Sequence, residues 1–349
     1  HRNLNTFPTR RSSDLSVIEL IRGAFLAENY WGWKFLLLSS VSFTFITLVF
    51  YIGQNLAYTK AIFRFTLKYV FPFGFLLIPL TLVTNEQLYS RLMIPISIFI
   101  LFIPYLKPKW KYLIIIVAII SILLVIGFRT NIIKISFSVL LLGIFYFRNL
   151  FTKKLLRFIH ISIFIAPIVL FFLGLIGNYN VFTEISKKED ITIINKEGME
   201  ENLLGDTRVF LYHEVLSTMN NRINWLIGGG SSAYYDSVWF YDDGGTMKGK
   251  RYGTEVGILN ILLRYGIIGV LLYGLLLFNV SRIAITQSNN RLAKMIGLLI
   301  AFRWLLSFIE EYTQYDLNFY FFWLIMGLVS TSFFRKMNDK QIRKYLQAI

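Results

Sequence analysis

Residues 158–177 read FIHISIFIAPIVLFFLGLIG, twenty consecutive positions with one His and no Asp, Glu, Lys or Arg. This length and polarity match the roughly 17–25 residues that an α-helix needs to cross a bilayer. Comparable apolar blocks recur along the chain, and we predict an all-α polytopic transmembrane helix bundle. The nine expected spans are 35–53, 69–84, 92–106, 112–128, 130–147, 158–177, 256–278, 295–309 and 317–334.

The composition of the 349 residues points the same way. Hydrophobic residues make up 55% of the chain, Phe alone contributes 33 positions, and the mean hydropathy is +0.56. Charged residues make up 16%, against about 25% in soluble domains. Cysteine is absent, which excludes a disulfide framework and a thiolate metal site. The chain is therefore expected to lie in a membrane.

The formal net charge of +16 is concentrated in alternate loops between the apolar blocks. These loops and the tail carry eighteen basic residues, against the single acid Asp339. They are Lys60, Arg64, Lys68, Lys107, Lys109, Lys111, Arg148, Lys153, Lys154, Arg157, Arg282, Arg291, Lys294, Arg335, Lys336, Lys340, Arg343 and Lys344. Such loops mark the cytoplasmic side, and no basic–aromatic module of a nucleic-acid binder is present. We expect a bacterial inner-membrane protein with a cytoplasmic C-terminus and no nucleic-acid partner.

The chain divides into five segments under this topology. Residues 1–15 resemble translated sequencing-adapter sequence and are excluded as non-native; the alternative is an ordinary basic tail. The others are the N-terminal helices 16–177, a large extracytoplasmic loop 178–254, the C-terminal helices 255–334 and a basic cytoplasmic tail 335–349. An odd number of spans places the segment before residue 35 outside, which predicts at least one further upstream helix and ten or more in the full protein.

The large loop is too aromatic to be plain linker, and loops of this length are usually functional or disordered. Residues 206–219 predict a helix with Asp206 or Thr207 as N-cap. The glycines Gly228 and Gly230 predict a tight turn whose backbone amides can approach a ligand, although a plain flexible turn is the commoner reading. We expect short amphipathic helices lying over a membrane cavity.

Ionisable residues beside the apolar spans are candidates for that cavity, because burying a charge in a bilayer is costly. Glu255 opens the seventh span, Arg264 lies nine residues deeper inside it, Arg303 lies within the eighth, and Arg129 follows the fourth. Snorkelling or a structural ion pair is the alternative for each. Guanidinium groups bind phosphate by bidentate hydrogen bonds, so the pattern favours an anionic, sugar-bearing ligand.

Three elements resemble the O-antigen polymerase and O-antigen ligase superfamily of bacterial envelope enzymes. The first is 127–130, a small residue followed by Arg between helices; the second is 206–208 with the aromatic helix and turn that follow. The third is a polar residue, two leucines and two glycines at fixed intervals, namely Glu255, Leu259, Leu262, Gly266 and Gly269. Many members, especially ligases, carry a His-Asn pair at this helix start, where this chain has Glu255 and Val256.

The resemblance implies a membrane glycosyltransferase that joins undecaprenyl-pyrophosphate-linked oligosaccharides into O-antigen, capsule or exopolysaccharide. The sequence shows no Asp-x-Asp or His-carboxylate cluster with clear metal spacing, so we expect a metal-independent, cofactor-free enzyme. Membrane lipid, a chain-length regulator and a flippase of the same pathway are the implied partners. Glu255, Arg208 and His213 become the catalytic candidates, with Glu255 to orient or deprotonate the acceptor. The residues expected to bind pyrophosphate or sugar are Arg129, Arg264, Arg303, Gly228 and Gly230, and Arg208 shares this role.

Two other functions remain open at this stage. A ligase would move finished glycan onto a second acceptor, and its loss would leave long chains on the carrier lipid. A transporter or flippase for the same lipid-linked sugar is the alternative from another class, since transporters often contain broken helices and internal repeats. The spans are interrupted by Pro72, Pro79, Pro95 and Pro167, but no repeat is evident.

Overall fold

A computed structural model describes most of the chain. The described residues are 20–27, 29–83, 87–124, 129–147, 152–175, 192–194, 200–202, 208–237, 249–311 and 316–347. The first nineteen residues, including the adapter-like segment, and much of the large loop lie outside this description.

The described fold is almost entirely helical, which confirms the predicted class. A short helical segment at 20–26 precedes the numbered helices. These are α1 Tyr30–Gln54, α2 Leu56–Phe65, α3 Phe71–Val83, α4 Gln87–Met93, α5 Ile96–Phe99, α6 Pro108–Leu124, α7 Arg129–Tyr146, α8 Lys153–Leu175, α9 Arg208–Arg222, α10 Gly257–Thr286, α11 Arg291–Leu306, α12 Leu317–Ser330, α13 Ser332–Lys336 and α14 Asp339–Gln347. A π-helical turn, Thr66–Val70, joins α2 to α3, and a 3₁₀ helix, Ile100–Tyr105, continues α5.

Two small antiparallel hairpins complete the described structure. Strands β1 Thr192–Ile194 and β2 Glu200–Asn202 pair with Ile193 opposite Glu201. Strands β3 Tyr235–Asp236 and β4 Lys250–Arg251 pair with Tyr235 opposite Arg251.

Three helices are long and apolar enough to cross a membrane: Leu56–Pro79, Lys153–Leu173 and Gly257–Thr286. Shorter apolar helices cover Phe45–Gln54, Arg91–Tyr105, Thr130–Tyr146 and Leu317–Ser330. Every predicted span overlaps a helix. One predicted loop is wrong, however, because Lys60, Arg64 and Lys68 lie in α2 and the π-helical turn. Asn55 alone links α1 to α2, and its side-chain Oδ1 accepts hydrogen bonds from the amides of Ala57 and Tyr58.

The C-terminal tail contacts Leu56, Tyr105 and Arg291 at one end of the bundle, here called the basic end. The Tyr345 hydroxyl donates to the Leu56 carbonyl, and the Tyr105 hydroxyl donates to Asp339 Oδ1 at 2.8 Å. Asp339 also accepts from the Arg291 amide at 2.9 Å, and Arg291 Nη1 donates to the Phe145 carbonyl at 3.3 Å. The tail helix α14 is docked here by Ile342 and Leu346, both fully buried.

The opposite end, here called the loop end, collects α9, the β3–β4 hairpin and the start of α10. The Tyr212 hydroxyl donates to the Phe308 carbonyl at 2.7 Å. The Gly257 amide, at the start of α10, donates to the Glu310 carbonyl at 2.9 Å. Asn29 lies at the same end, since its Oδ1 accepts from the Tyr252 hydroxyl at 3.0 Å.

Helices α1 and α12 pack together through two glycines near the basic end. A Cβ atom at Gly53 would overlap the Leu324 carbonyl, and one at Gly327 would overlap the Phe50 carbonyl. Close approach of backbones through small residues is a common way to pack helices in membranes, where apolar surface alone does not drive helices together. The buried core continues from this contact into a cluster of Phe rings, with Phe63 4.8 Å from Phe102 and Phe99 5.3 Å from Phe321.

Candidate functional site

A break in helix α10 organises the loop end. Gly266 has φ 64° and ψ −165°, a conformation that is essentially restricted to glycine. The sequence predicts Arg264 deep inside a continuous span, and this prediction is wrong: α10 divides at Gly266, and Arg264 lies in the nine-residue segment before the break. The twenty residues from 267 to 286 form the remaining length, about 30 Å at 1.5 Å per residue.

The backbone groups that the break releases are satisfied by the turn 225–230. The Gly229 amide donates to the Leu263 carbonyl at 2.8 Å, and the Gly230 amide donates to the Arg264 carbonyl at 2.9 Å. In return, the Ile267 amide donates to the Trp225 carbonyl at 2.8 Å. Gly228 has φ +67°, and a Cβ there would lie 2.6 Å from the Gly266 nitrogen. Broken helices persist where another segment re-satisfies the freed backbone groups.

These hydrogen bonds define what the predicted glycine turn does. The amide of Gly228 donates to the Asn224 carbonyl at 2.8 Å, so the amides of Gly228 and Gly230 both have protein acceptors. Ligand binding by Gly228 and Gly230 stays a prediction. If their backbone amides bound a ligand, they would first have to release the carbonyls of Asn224 and Arg264. Their positive φ angles and close contacts account for glycine at both positions.

The segment before α1 holds the turn from its other side. Arg22 Nη1 donates to the Ile227 carbonyl at 2.8 Å, and its Nη2 donates to the Gly228 carbonyl. The Ser232 hydroxyl donates to the Gly23 carbonyl at 3.1 Å. Arg22 and Gly23 thus lie at the loop end.

Arg264 is the buried cation of this site, with 6% of its surface exposed. Its Nη2 donates to the Tyr252 carbonyl at 3.2 Å. Among the residues that the structure describes, no acceptor lies within hydrogen-bonding distance of its Nε. Asn260, one turn earlier, holds the segment that leads into α10. Its Oδ1 accepts from the Thr254 amide at 2.7 Å, and its Nδ2 donates to the Thr254 carbonyl at 2.9 Å. A buried guanidinium with donor capacity to spare can bind an anion.

Helix α9 and the β3–β4 hairpin add further ionisable groups at the loop end that the sequence did not single out. Glu214, 7% exposed, accepts from the Ser237 hydroxyl at 3.1 Å, and Arg251 pairs with Tyr235 across the hairpin. Burial raises the pKa of the Tyr235 phenol to about 12; the charge of Arg251 opposes this rise, and Glu214 and Glu255 add to it. Tyr235 is therefore a hydrogen-bond donor at neutral pH and not a base.

Aromatic rings extend the site outward from Tyr252. The Tyr252 ring stacks on Phe35 with centroids 5.3 Å apart and lies 5.4 Å from Tyr234. Two cations cover Tyr234, with the Arg222 guanidinium 4.0 Å and the Lys250 ammonium 4.5 Å from its ring centroid. Cation–π contacts of this kind hold the hairpin and α9 together.

The other predicted residues are dispersed around this end. Glu255 is exposed, three residues after Tyr252, and His213 is exposed on α9. Arg129 and Arg208 are the first residues of α7 and α9, and the structure does not describe their side chains. The structure therefore brings Arg264, Gly228 and Gly230 together through backbone contacts. The proximity of Glu255, Arg129 and Arg208 to them stays a prediction.

Arg303 belongs to a second polar cluster, between α7, α11 and α12. Its guanidinium lies 4.9 Å from the Phe322 ring centroid. With Lys134 and Asn318, it lines a cavity of about 20 Å³, room for about one water molecule. Lys134 Nζ contacts Glu310 Oε1 at 2.6 Å in a largely buried ion pair. A lysine in an apolar helix is the signal that sequence reasoning missed, since such charges usually have a partner.

The described residues also bear on whether this chain could hold a metal-binding site. No group of three or more His, Cys, Asp or Glu there could hold a metal ion. The chemical groups available at the loop end are therefore guanidinium groups, carboxylates such as Glu214 and Glu255, and aromatic rings. Comparison with known proteins adds no assignment: the chain matches no protein-family model, no curated protein and no solved structure.

Proposed function

We propose that this protein is a membrane glycosyltransferase that polymerises lipid-linked oligosaccharide repeats at the loop end. The observation that carries the proposal is Arg264, a buried guanidinium beside a broken helix whose Nε has no acceptor among the described residues. Such a group suits a pyrophosphate, which is anionic and accepts several hydrogen bonds. The resemblance in the three sequence elements supports the same substrate class.

The reaction proposed for this site is a transfer at an anomeric carbon. The acceptor hydroxyl oxygen bonds to that carbon as the bond from the carbon to the pyrophosphate oxygen breaks. The electron pair of that bond leaves with the pyrophosphate, and Arg264 stabilises the charge that develops there. Arg129 and Arg208 are proposed to contribute further guanidinium groups from the starts of α7 and α9.

The hydroxyl proton needs an acceptor, and Glu255 is the proposed one. It is exposed and follows the Tyr252 carbonyl, the Arg264 acceptor, by three residues. Tyr235 is excluded from this role by its raised pKa. Glu255 therefore acts as general base or orients the acceptor, and His213 remains a second candidate on α9.

We propose that the helices at the nine spans predicted from the sequence cross the bacterial inner membrane, with the basic end in the cytoplasm. Exposed aromatic side chains at both ends support this, because Trp and Tyr concentrate at membrane–water interfaces. Those at the loop end are Phe25, Tyr30, Trp33 and Trp225. Those at the basic end are Tyr58, Tyr112, Tyr146, Phe147, Phe158 and Phe333.

The second candidate is a transporter for the same lipid-linked sugar, and the break at Gly266 favours it. Transporters place substrate sites at discontinuous helices. Here, however, the broken ends are closed by hydrogen bonds from the turn 225–230, which leaves side chains as the available binding groups. A ligase acting at the same site would differ only in its acceptor.

The test is an assay of purified protein in nanodiscs with a panel of undecaprenyl-pyrophosphate-linked repeats, read as a glycan ladder on a gel. We expect a ladder from the wild-type chain and a rate about 10²–10³-fold lower in Arg264→Gln, as when one donor to a developing oxyanion is removed. Glu255→Gln should also abolish chain growth. Arg282→Gln, on the exposed far end of the same helix, is the matched control and should retain the full rate.

Each other outcome has a defined meaning. Transfer to a second acceptor without a ladder would replace the polymerase with a ligase. Neither product from folded protein, with sugar movement across the membrane, would replace it with a transporter. A normal ladder from both Arg264→Gln and Glu255→Gln would overturn the site assignment while leaving the activity.

A further inference from the structure

A second binding region lies at the basic end, far from the residues proposed for catalysis. A cavity of about 480 Å³, within the size range of small-ligand sites, opens along one face of α14. Its described lining is Asp339, Lys340, Arg343, Lys344 and Gln347. Three of these five side chains are cationic, so the cavity favours an anion.

Asp339, the one acidic residue of the described lining, is bound to other residues of the protein. Asp339 Oδ1 accepts from the Tyr105 hydroxyl at 2.8 Å and from the Arg291 amide at 2.9 Å, and Oδ2 lies 3.6 Å from Arg291 Nε. None of the carboxylates in the described chain lies within ion-pair distance of Lys340, Arg343 or Lys344. Like charges three and four residues apart on a helix repel one another, so α14 carries an electrostatic cost that an anion would relieve.

The position of the cavity indicates which anion. Helix α14 buries Ile342 and Leu346 against the bundle and reaches Leu56 through the Tyr345 hydroxyl, so its basic face lies beside the helix ends. Exposed tyrosines surround the same end, among them Tyr112, 67% exposed, and Tyr58, 61% exposed. In membrane proteins, tyrosine is enriched at the headgroup level of the bilayer. An anion available there is the headgroup of an acidic phospholipid.

We propose that the basic face of α14 binds the phosphate headgroup of an acidic phospholipid. The three cations contact phosphate oxygens, and the acyl chains lie along the apolar bundle surface beside the cavity. Juxtamembrane clusters of Lys and Arg attract acidic lipids generally. Here the structure adds a docked helix that holds Lys340, Arg343 and Lys344 on one face, so the expectation is retention of individual lipid molecules and not only a diffuse attraction. This proposal rests on the proposed membrane placement of the bundle and not on the glycosyl-transfer activity.

The test is native mass spectrometry of the full chain, released from detergent supplemented with phosphatidylglycerol or with phosphatidylcholine. We expect retained phosphatidylglycerol molecules on the wild-type protein and an apparent affinity about tenfold or more weaker in K340Q/R343Q/K344Q. The matched control K109Q/K154Q/R282Q removes three exposed charges at the same end that do not line the cavity. It should bind within about twofold of wild type, because most of the local charge around the site is kept.

Three results would overturn the proposal. Equal weakening in both triple variants would show a diffuse charge effect. Equal retention of phosphatidylcholine would show that the site does not recognise the headgroup charge. Displacement of the lipid by millimolar inorganic phosphate would identify a free-anion site instead. Because all three substituted side chains are exposed, the variant should keep the wild-type elution volume, and K344Q alone, with a smaller loss, serves if it does not.

Discussion

The two ends of this molecule treat charge in opposite ways. At the loop end, cations are buried inside the protein: Arg264 and Arg303 are each 6% exposed, and Lys134 is 7% exposed. At the basic end, Lys340, Arg343 and Lys344 stand on the outer face of a docked helix. Burial makes each charge depend on one specific partner, whereas exposure makes the charges act collectively. The loop end is therefore where single substitutions should matter most.

The largest expected effect comes from removing one partner of the buried Lys134–Glu310 pair. Lys134→Met leaves the Glu310 carboxylate largely buried without its cation, and we expect a loss of about 3 kcal/mol in the free energy of unfolding. Lys340→Gln, a lysine of the basic end, should cost less than about 0.5 kcal/mol. Denaturant titrations in mixed micelles measure the free energy of unfolding of both variants.

A double variant sharpens this result. Lys134→Met with Glu310→Met replaces both charges with apolar side chains and should recover most of the lost stability, because no unpaired charge remains. Equal losses from Lys134→Met and Lys340→Gln would contradict the contrast between the two ends. A double variant as unstable as the single one would show that Lys134 acts through packing and not through its charge.

The second-largest expected change in the free energy of unfolding comes from altering the break in α10. Gly266→Ala places a Cβ against the Leu226 carbonyl in a backbone conformation that other residues rarely adopt, and we expect a cost of about 1–3 kcal/mol. Gly143→Ala is the matched control, because no atom lies within 4 Å of its Cβ position and the residue is in α7. That substitution should be neutral or stabilising by up to about 1 kcal/mol.

Proteolysis of the loop end separates a local effect from a global one. If Gly266→Ala detaches the turn 225–230 from α10, cleavage near Trp225 should accelerate while the basic end stays protected. Uniform cleavage along the chain would indicate general unfolding. An unchanged stability would show that α10 tolerates a continuous helix at this position, and the reciprocal hydrogen bonds would then be dispensable.

The helical class could be predicted from the sequence, because it depends on local composition. Apolar blocks predicted where helices form, and every predicted span overlaps a helix. The sides of the membrane assigned from charges in alternate loops stay a prediction. The error at Lys60, Arg64 and Lys68 was also local: π-helical and α-helical turns there continue a helix through basic residues.

The candidate site was harder to predict because its contacts join distant parts of the chain. Gly266 sits in an apolar run that predicts an unbroken helix, and its break depends on carbonyls some forty residues earlier, such as that of Trp225. The Lys134–Glu310 pair joins residues 176 positions apart. Arg264 and Glu255 became candidates because they stand out against apolar neighbours, whereas Glu214 and Tyr235 lie in a loop of mixed composition and do not stand out.

The smallest expected effect lies at the basic end and tests the other half of the contrast. Asp339→Asn removes the 3.6 Å ion pair with Arg291, but the amide oxygen can still accept from the Tyr105 hydroxyl and the Arg291 amide. Because the side chain is 38% exposed, we expect a loss of only about 0.5 kcal/mol, reduced further by added salt. Unfolding titrations at low and high salt measure it. A salt-independent loss as large as that of Lys134→Met would mean that the basic end also depends on one specific pair, and the distinction between buried and collective charge would not hold.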